Sequence, residues 1–186
     1  MLGMIEFGAL NGQTSIGPGI CGINSTAHNY ASLTGSTSSL GNGTGSAVST
    51  TNEKNGTTTV ETAANKVAIS YRGMENPWGN IWRFVGNMLV SGNGSQMGGI
   101  PYICKNYNYS SDVFNENYES LNIILPNTQN WISAMGYGDQ KYDWVYFPVK
   151  CEGASSALPV GDSLWTSTNL NGLNCVGIGG TASYND

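Results

Sequence analysis

Apolar and polar positions alternate in short runs along the second half of the chain and fade from one stretch of the first. Val67-Ala68-Ile69-Ser70-Tyr71 puts Val67, Ile69 and Tyr71 on one side of an extended segment, the two-residue period of a half-buried strand. Asn80 to Val90 reads NIWRFVGNMLV. As a helix it would gather Trp78, Ile81, Trp82 and Val85 on one face; as a strand it would pair Trp82 with Phe84, and Gly79 and Gly86 favour the strand. Ser91-Gly92-Asn93-Gly94-Ser95 is a turn, and the apolar, aromatic run Ile100 to Tyr107 follows it, which predicts a hairpin. Further strands are expected over Ser120 to Leu125, Trp144 to Val149 and Asn174 to Ile178. The one helix expected is Thr128 to Met135, with Gly136 as its C-cap.

Ala31 to Val60 reads ASLTGSTSSLGNGTGSAVSTTNEKNGTTTV, with no aromatic residue and few apolar ones. Such a stretch cannot build a core unaided, so it is expected to be a linker, an extended arm or loops that order on partners. Before it, Met4-Ile5-Glu6-Phe7 has the pattern of a short strand, and Ile16 to Ile23 is broken by Gly17, Pro18, Gly19 and Gly22. These features divide the chain into an N-terminal attachment piece and arm, residues 1–64, and a compact domain, residues 65–186. No repeat of solenoid or propeller period is present.

Composition narrows the function class. Only 10% of the 186 residues are charged, and the formal net charge is −5 with seven basic residues spread singly, which leaves no electrostatic footprint for nucleic acid. Neither a signal-peptide pattern at Met1 to Asn11 nor eighteen consecutive apolar residues occurs, so neither cleaved secretion nor membrane insertion is expected. Cys21, Cys104, Cys151 and Cys175 are far apart and form no C-x-x-C pair, which excludes a zinc knuckle; buried free thiols are expected, with a disulfide as the alternative.

The stretch Tyr71-Arg72-Gly73-Met74-Glu75-Asn76-Pro77-Trp78-Gly79-Asn80-Ile81-Trp82-Arg83-Phe84 resembles the G-N-V-W-E-W signature of the formylglycine-generating-enzyme-like branch of the C-type lectin fold. It is more similar to a variant in phage tail and virion proteins, S-Y-R-G-x-E-N-x-x-G-N-I-W-K-W. Further on, Val176-Gly177-Ile178-Gly179-Gly180-Thr181-Ala182-Ser183-Tyr184-Asn185-Asp186 resembles the R-V-x-R-G-G-S-W-x-N segment of that fold, in the right order. The resemblance covers residues 65–186 and implies an α+β C-type-lectin-like domain, rich in short strands and long loops, with Gly79, Asn80, Trp82, Phe84, Gly179 and Gly180 as its fold-defining positions. Trp82 and Phe84 are then expected to be buried on one strand.

The resemblance does not extend to chemistry. The enzymes of this branch use two cysteines downstream of the G-G-S-W segment, which this sequence does not contain, and their iron-dependent relatives use three histidines where His28 is the single one here. No catalytic residue, cofactor or metal is expected. Glu116, Glu119, Asp139 and Asp143 are glycosidase carboxylates by type alone. Asp112, Asp139, Asp143 and Asp162 lack a calcium-loop spacing, and loop solvation explains them better. Arg72 and Glu75 are expected to form a local salt bridge. The candidate ligand surface is Trp131, Tyr137, Asp139, Tyr142, Asp143 and Trp144, where amphipathic aromatics are interleaved with carboxylates, an arrangement that stacks on sugar rings or anchors a protein, or equally walls the core beneath long loops. The resemblance thus implies a non-enzymatic phage virion protein, such as a tail fibre, collar or capsid decoration, that binds a host-surface glycan or protein or a neighbouring virion subunit. A structural filament or virion-assembly protein and a formylglycine-generating-type enzyme are the alternatives. A homo-oligomer is expected, trimeric by resemblance to phage fibres, tied together by residues 1–64.

Overall fold

The computed structural model describes residues 16–21, 31–54, 56–64, 66–94, 98–106, 115–152, 163–166 and 171–179. The segments around Met4 and around His28, together with Asp112, Asp162 and Gly180, lie outside the described residues. The chain divides into two compact units, with boundaries at Arg83/Phe84 and Gly177/Ile178.

The N-terminal unit holds six short strands: β1 (Ala31–Ser32), β2 (Gly45–Ser46), β3 (Thr50–Lys54), β4 (Thr57–Glu61), β5 (Ile69–Tyr71) and β6 (Met74–Glu75). They form two antiparallel sheets, ordered β1-β3-β4 and β2-β5-β6. The low-complexity stretch is therefore built into the fold. Its β2 pairs Gly45 and Ser46 with Ser70 and Ile69, Ala47 N–H donates to Ala68 O at 2.8 Å, and the Thr50 hydroxyl accepts from Ala68 N–H. Short side chains and hydroxyls replace apolar bulk here. Thr50, Asn52, Ser70 and Asn76 are all buried, and the apolar clusters are small: Ile20, Ala47 and Ala68 in one, Ile16, Ile69 and Tyr71 with Trp78 in the other.

Asn76 and Asn80 explain how the resembling motif shapes this unit. Both adopt positive φ, +48° and +65°, a region that asparagine tolerates because its short amide bonds locally. The Asn76 amide accepts from Ile69 N–H and donates to Ser32 Oγ, each at 3.1 Å, while Asn80 Oδ1 accepts from Ser32 N–H at 3.0 Å. Two asparagines of one turn thus clamp β1. Between them Gly79, at φ +69°, lies so close to Ile20 that a Cβ would sit 2.8 Å from its backbone nitrogen. The expected Arg72–Glu75 bridge is absent from this turn. The Glu75 carboxylate instead accepts from Gly35 N–H, Thr37 N–H and the Thr37 hydroxyl, and the Arg72 guanidinium lies 5.8 Å from the Tyr71 ring centroid.

The second unit holds β7 (Arg83–Asn93), β8 (Ile100–Cys104), β9 (Tyr118–Ser120), β10 (Asn130–Tyr137), β11 (Tyr146–Glu152), β12 (Ser163–Leu164) and β13 (Asn171–Ile178). Its sheets run β13-β7-β8-β9 and β11-β10-β12. The β7–β8 hairpin is the one the sequence predicts. The strand expected over Ser120 to Leu125 is not formed: β9 ends at Ser120, Asn122 takes φ +55°, and residues 121–125 run on with single bonds to the β8 side, Leu121 N–H to Pro101 O and Leu125 N–H to Gly99 O, both 3.0 Å. That run keeps strand alternation, and Leu121, Ile123 and Leu125 point into a core shared with Val90, Tyr142, Val145 and Phe147. Burying Leu121 completely contributes about 2 kcal/mol.

Three further expectations change. Strands dominate, with only two short 3-10 turns among the complete elements, so the helical share of an α+β domain is not seen in the described residues. The segment expected as helix Thr128 to Met135 is largely strand β10. Trp131 and Ile132 suit a pleated surface, and Gly136 faces Phe147 across the ladder, where a Cβ would collide with Val149 Cγ1, so its small size serves strand packing instead of a helix cap. Trp82 and Phe84 are not core residues: they are 42% and 81% exposed, and Trp82 precedes β7. For Phe84 the alternation of β7 is interrupted at Asn87, φ +67°, beyond which Met88 and Val90 set the inward face. The motif tryptophan that packs is Trp78, whose indole N–H donates to Gly17 O at 3.1 Å.

Candidate functional site

The β10–β11 hairpin carries the candidate surface at its tip. Tyr137 and Tyr146 pair across the end of the ladder, their rings 4.6 Å apart and tilted by 59°. Residues 138–145 form the loop, closed by Gly138 N–H donating to Val145 O at 3.0 Å. Gly138 is required by proximity, since a Cβ there would lie 2.5 Å from Tyr142 O. Within the loop Asp139 caps the 3-10 turn Gln140–Tyr142: its Oδ1 accepts from Gln140 N–H at 2.7 Å and its Oδ2 from Asn122 Nδ2 at 3.0 Å.

Tyr142 bolts the loop to the core. Its ring is buried, and its hydroxyl donates to Glu119 Oε2 at 2.8 Å. Lys141 Nζ reaches the same oxygen at 3.0 Å and lies 5.0 Å from the centroid of the Tyr142 ring. The hydrogen bonds from Lys141 and Tyr142 hold the Glu119 carboxyl below its ordinary pKa, and the bond to Glu119 raises that of Lys141. Glu119 and Lys141 are solvent-exposed, so the bridge between them orients side chains more than it stabilises the fold.

No family model, curated protein or solved structure matches this chain. The site must therefore be read from its own geometry.

Of the six residues expected at the ligand surface, the structure brings Tyr137, Asp139, Asp143 and Trp144 together on the tip. Tyr137 and Trp144 are 61% and 63% exposed, and Asp143 is exposed at the end of the 3-10 turn. Tyr142 is on the same loop but faces inward. Trp131 stands at the opposite end of β10, paired with Glu152, about 20 Å away along an extended strand. Sequence reasoning missed Asn122, Lys141 and Tyr146, and Glu119 it saw only as a carboxylate by type. Asn122, at φ +55°, comes from a segment distant in sequence, and nothing local marks it as a partner of Asp139.

Two of the four carboxylates considered for glycoside hydrolysis are tied into this frame: Glu119 to Lys141 and Tyr142, Asp139 to Gln140 and Asn122. All four cysteines carry thiols; Cys21 and Cys104 are buried, and Cys175 is exposed. Burial pushes the Cys151 thiol pKa up, away from reactivity. Among the described residues no group of three metal-ligating side chains is assembled, and no helix is long and apolar enough to cross a membrane.

Proposed function

We propose that this chain is a non-enzymatic phage virion protein, a tail fibre, collar or capsid decoration, whose β10–β11 tip binds carbohydrate on the host surface. The observation that carries the reading is the exposure of Trp144 and Tyr137 beside a loop whose polar groups are held in place from within. Exposed aromatic rings offer flat apolar faces to the C–H side of a pyranose, and fixed amides and carboxylates offer partners to its hydroxyls. A frame ordered before binding lowers the entropy that a ligand must overcome.

A C-type-lectin-like fold for the chain remains part of this proposal. It is supported by the contact between the two stretches that carry the resemblance: a Cβ on Gly179 would lie 3.5 Å from both Pro77 O and Ile81 O. Display in several copies would multiply a weak sugar contact into avidity, which is how homo-oligomeric assembly enters the reading. Assembly as the sole function has one observation in its favour: β1, β3 and β4 of the low-complexity stretch form a sheet whose last strand, β4, has an open outer edge among the described residues.

The test is calorimetric titration of the full chain with a panel of neutral and acidic pyranose oligosaccharides, beside Trp144→Ala. Binding by the native chain that falls at least tenfold in Trp144→Ala, with unchanged thermal unfolding, supports the reading. No heat with any sugar, or equal binding by the variant, refutes it.

A further inference from the structure

The outer edge of β4 is a regular stretch of unpaired backbone among the described residues. β4 is the terminal strand of the β1-β3-β4 sheet, and all five of its residues pair with β3 without a bulge. Exposed edges are ordinarily guarded by lysine, proline, a bulge or extreme shortness. Thr57-Thr58-Thr59-Val60-Glu61 has no lysine, proline or glycine, and Thr57, Thr58 and Val60 are exposed, Val60 at 62%.

The direction of its free hydrogen-bonding groups follows from the hairpin. Only residues 55 and 56 separate the paired Lys54 and Thr57, and a two-residue hairpin closes on a pair that exchanges both backbone bonds. Alternation then makes Asn52↔Thr59 and Thr50↔Glu61 bonded pairs as well. The N–H and C=O groups of Thr58 and Val60 therefore point away from β3, toward the open edge.

We propose that this edge pairs with the same edge of a second copy of the chain, antiparallel and two-fold symmetric about Thr59, joining two three-stranded sheets into one of six strands. In that register Thr58 faces Val60 of the second copy and exchanges both backbone bonds with it, and the symmetric pair repeats the exchange. All four outward groups are satisfied by four hydrogen bonds. Thr59 faces its own copy, Thr57 faces Glu61, and no like charges oppose each other. The isologous geometry closes at two copies and leaves no growing filament. The proposal specifies the assembly contact within the multi-copy display described above, replacing the trimer that phage-fibre resemblance implies. Sedimentation without sugar tests it separately from the binding tip.

The test is sedimentation equilibrium of the full chain at about 100 μM, a concentration suited to a small edge-only interface. Val60→Pro removes an outward donor and leaves the bonds to β3 in place. The expected result is a weight-average mass twice that of one chain for the native protein and that of one chain for Val60→Pro, with the two unfolding at the same temperature only when diluted below the dimer's dissociation constant, since association stabilises the folded native chain at higher concentration. The double variant Thr58→Lys/Val60→Lys, which sets lysines opposite lysines, is the second probe in case proline disturbs the hairpin, and it too should be monomeric. A monomeric native chain, a trimer, or a dimer that survives the lysine variant overturns the proposal.

Discussion

Replacing Asn76 by alanine should destabilise the N-terminal unit more than replacing any tryptophan of the same motif that stands in solvent. The amide of Asn76 is 1% exposed, accepts from the fully buried Ile69 N–H and donates to Ser32 Oγ. Alanine leaves the Ile69 N–H without that acceptor, which costs about 1–3 kcal/mol, and loses a neutral bond to Ser32 worth about 1 kcal/mol. It also forces a residue without a bonding side chain to hold φ +48°, adding about 1–2 kcal/mol. The total is about 3–6 kcal/mol. Asn76→Gly should recover about 1 kcal/mol of this, because glycine relieves the backbone term but not the lost bonds. Trp82→Ala, at a residue 42% exposed, should cost only about 1 kcal/mol, against the roughly 3–5 kcal/mol of a core tryptophan. Urea unfolding followed by near-ultraviolet circular dichroism reads all three. If Asn76→Ala loses under 1 kcal/mol, or Trp82→Ala loses as much as Asn76→Ala, the asparagine clamp is not what holds β1.

Two further outcomes follow from the second unit. Leu121→Ala should lose about 2–5 kcal/mol by opening a cavity where Val90, Ile123 and Phe147 meet, and a loss under 1 kcal/mol on urea titration would place the core elsewhere. Glu119 has a pKa lowered by folding, so its contribution is present above the unfolded carboxyl pKa and is lost as pH falls through the depressed folded value. Glu119→Gln should therefore flatten the acid limb of the thermal-stability profile below about pH 4.5 and change nothing in shape near neutrality; an unchanged acid limb would separate Glu119 from the loop's stability.

Where the sequence was readable, the signal was local. The β7–β8 hairpin follows from a glycine- and asparagine-rich turn between apolar runs, and β13 and β11 from β-branched and aromatic runs. The helix expected over Thr128 to Met135 shows the weakness of that signal, because a short apolar run has no period of its own and Gly136 reads equally as a cap or as a close cross-strand contact. Ala31 to Val60 went unread for a different reason. Its order comes from hydroxyl and amide bonds to residues far along the chain, such as Thr50 to Ala68 and Ser32 to Asn76 and Asn80, and composition cannot foresee these partners. Trp82 was misplaced because the strand begins only after it, and Phe84 because one positive-φ residue, Asn87, turns the strand's faces over. At the tip, the exposed aromatics were legible as residue types, whereas the inward turn of Tyr142 and the arrival of Asn122 depend on the packed core.

The loop at residues 138–145 is fastened at points that leave its outer positions unconstrained. Gly138, Asp139, Tyr142 and Val145 carry the closure, the cap and the core contact, whereas the positions of Gln140, Asp143 and Trp144 bear no such duty in their side chains. That separation makes the loop a cassette: a combinatorial library randomised at 140, 143 and 144 would leave its fastenings untouched, so the outer surface there can be rewritten by substitution without refolding the scaffold.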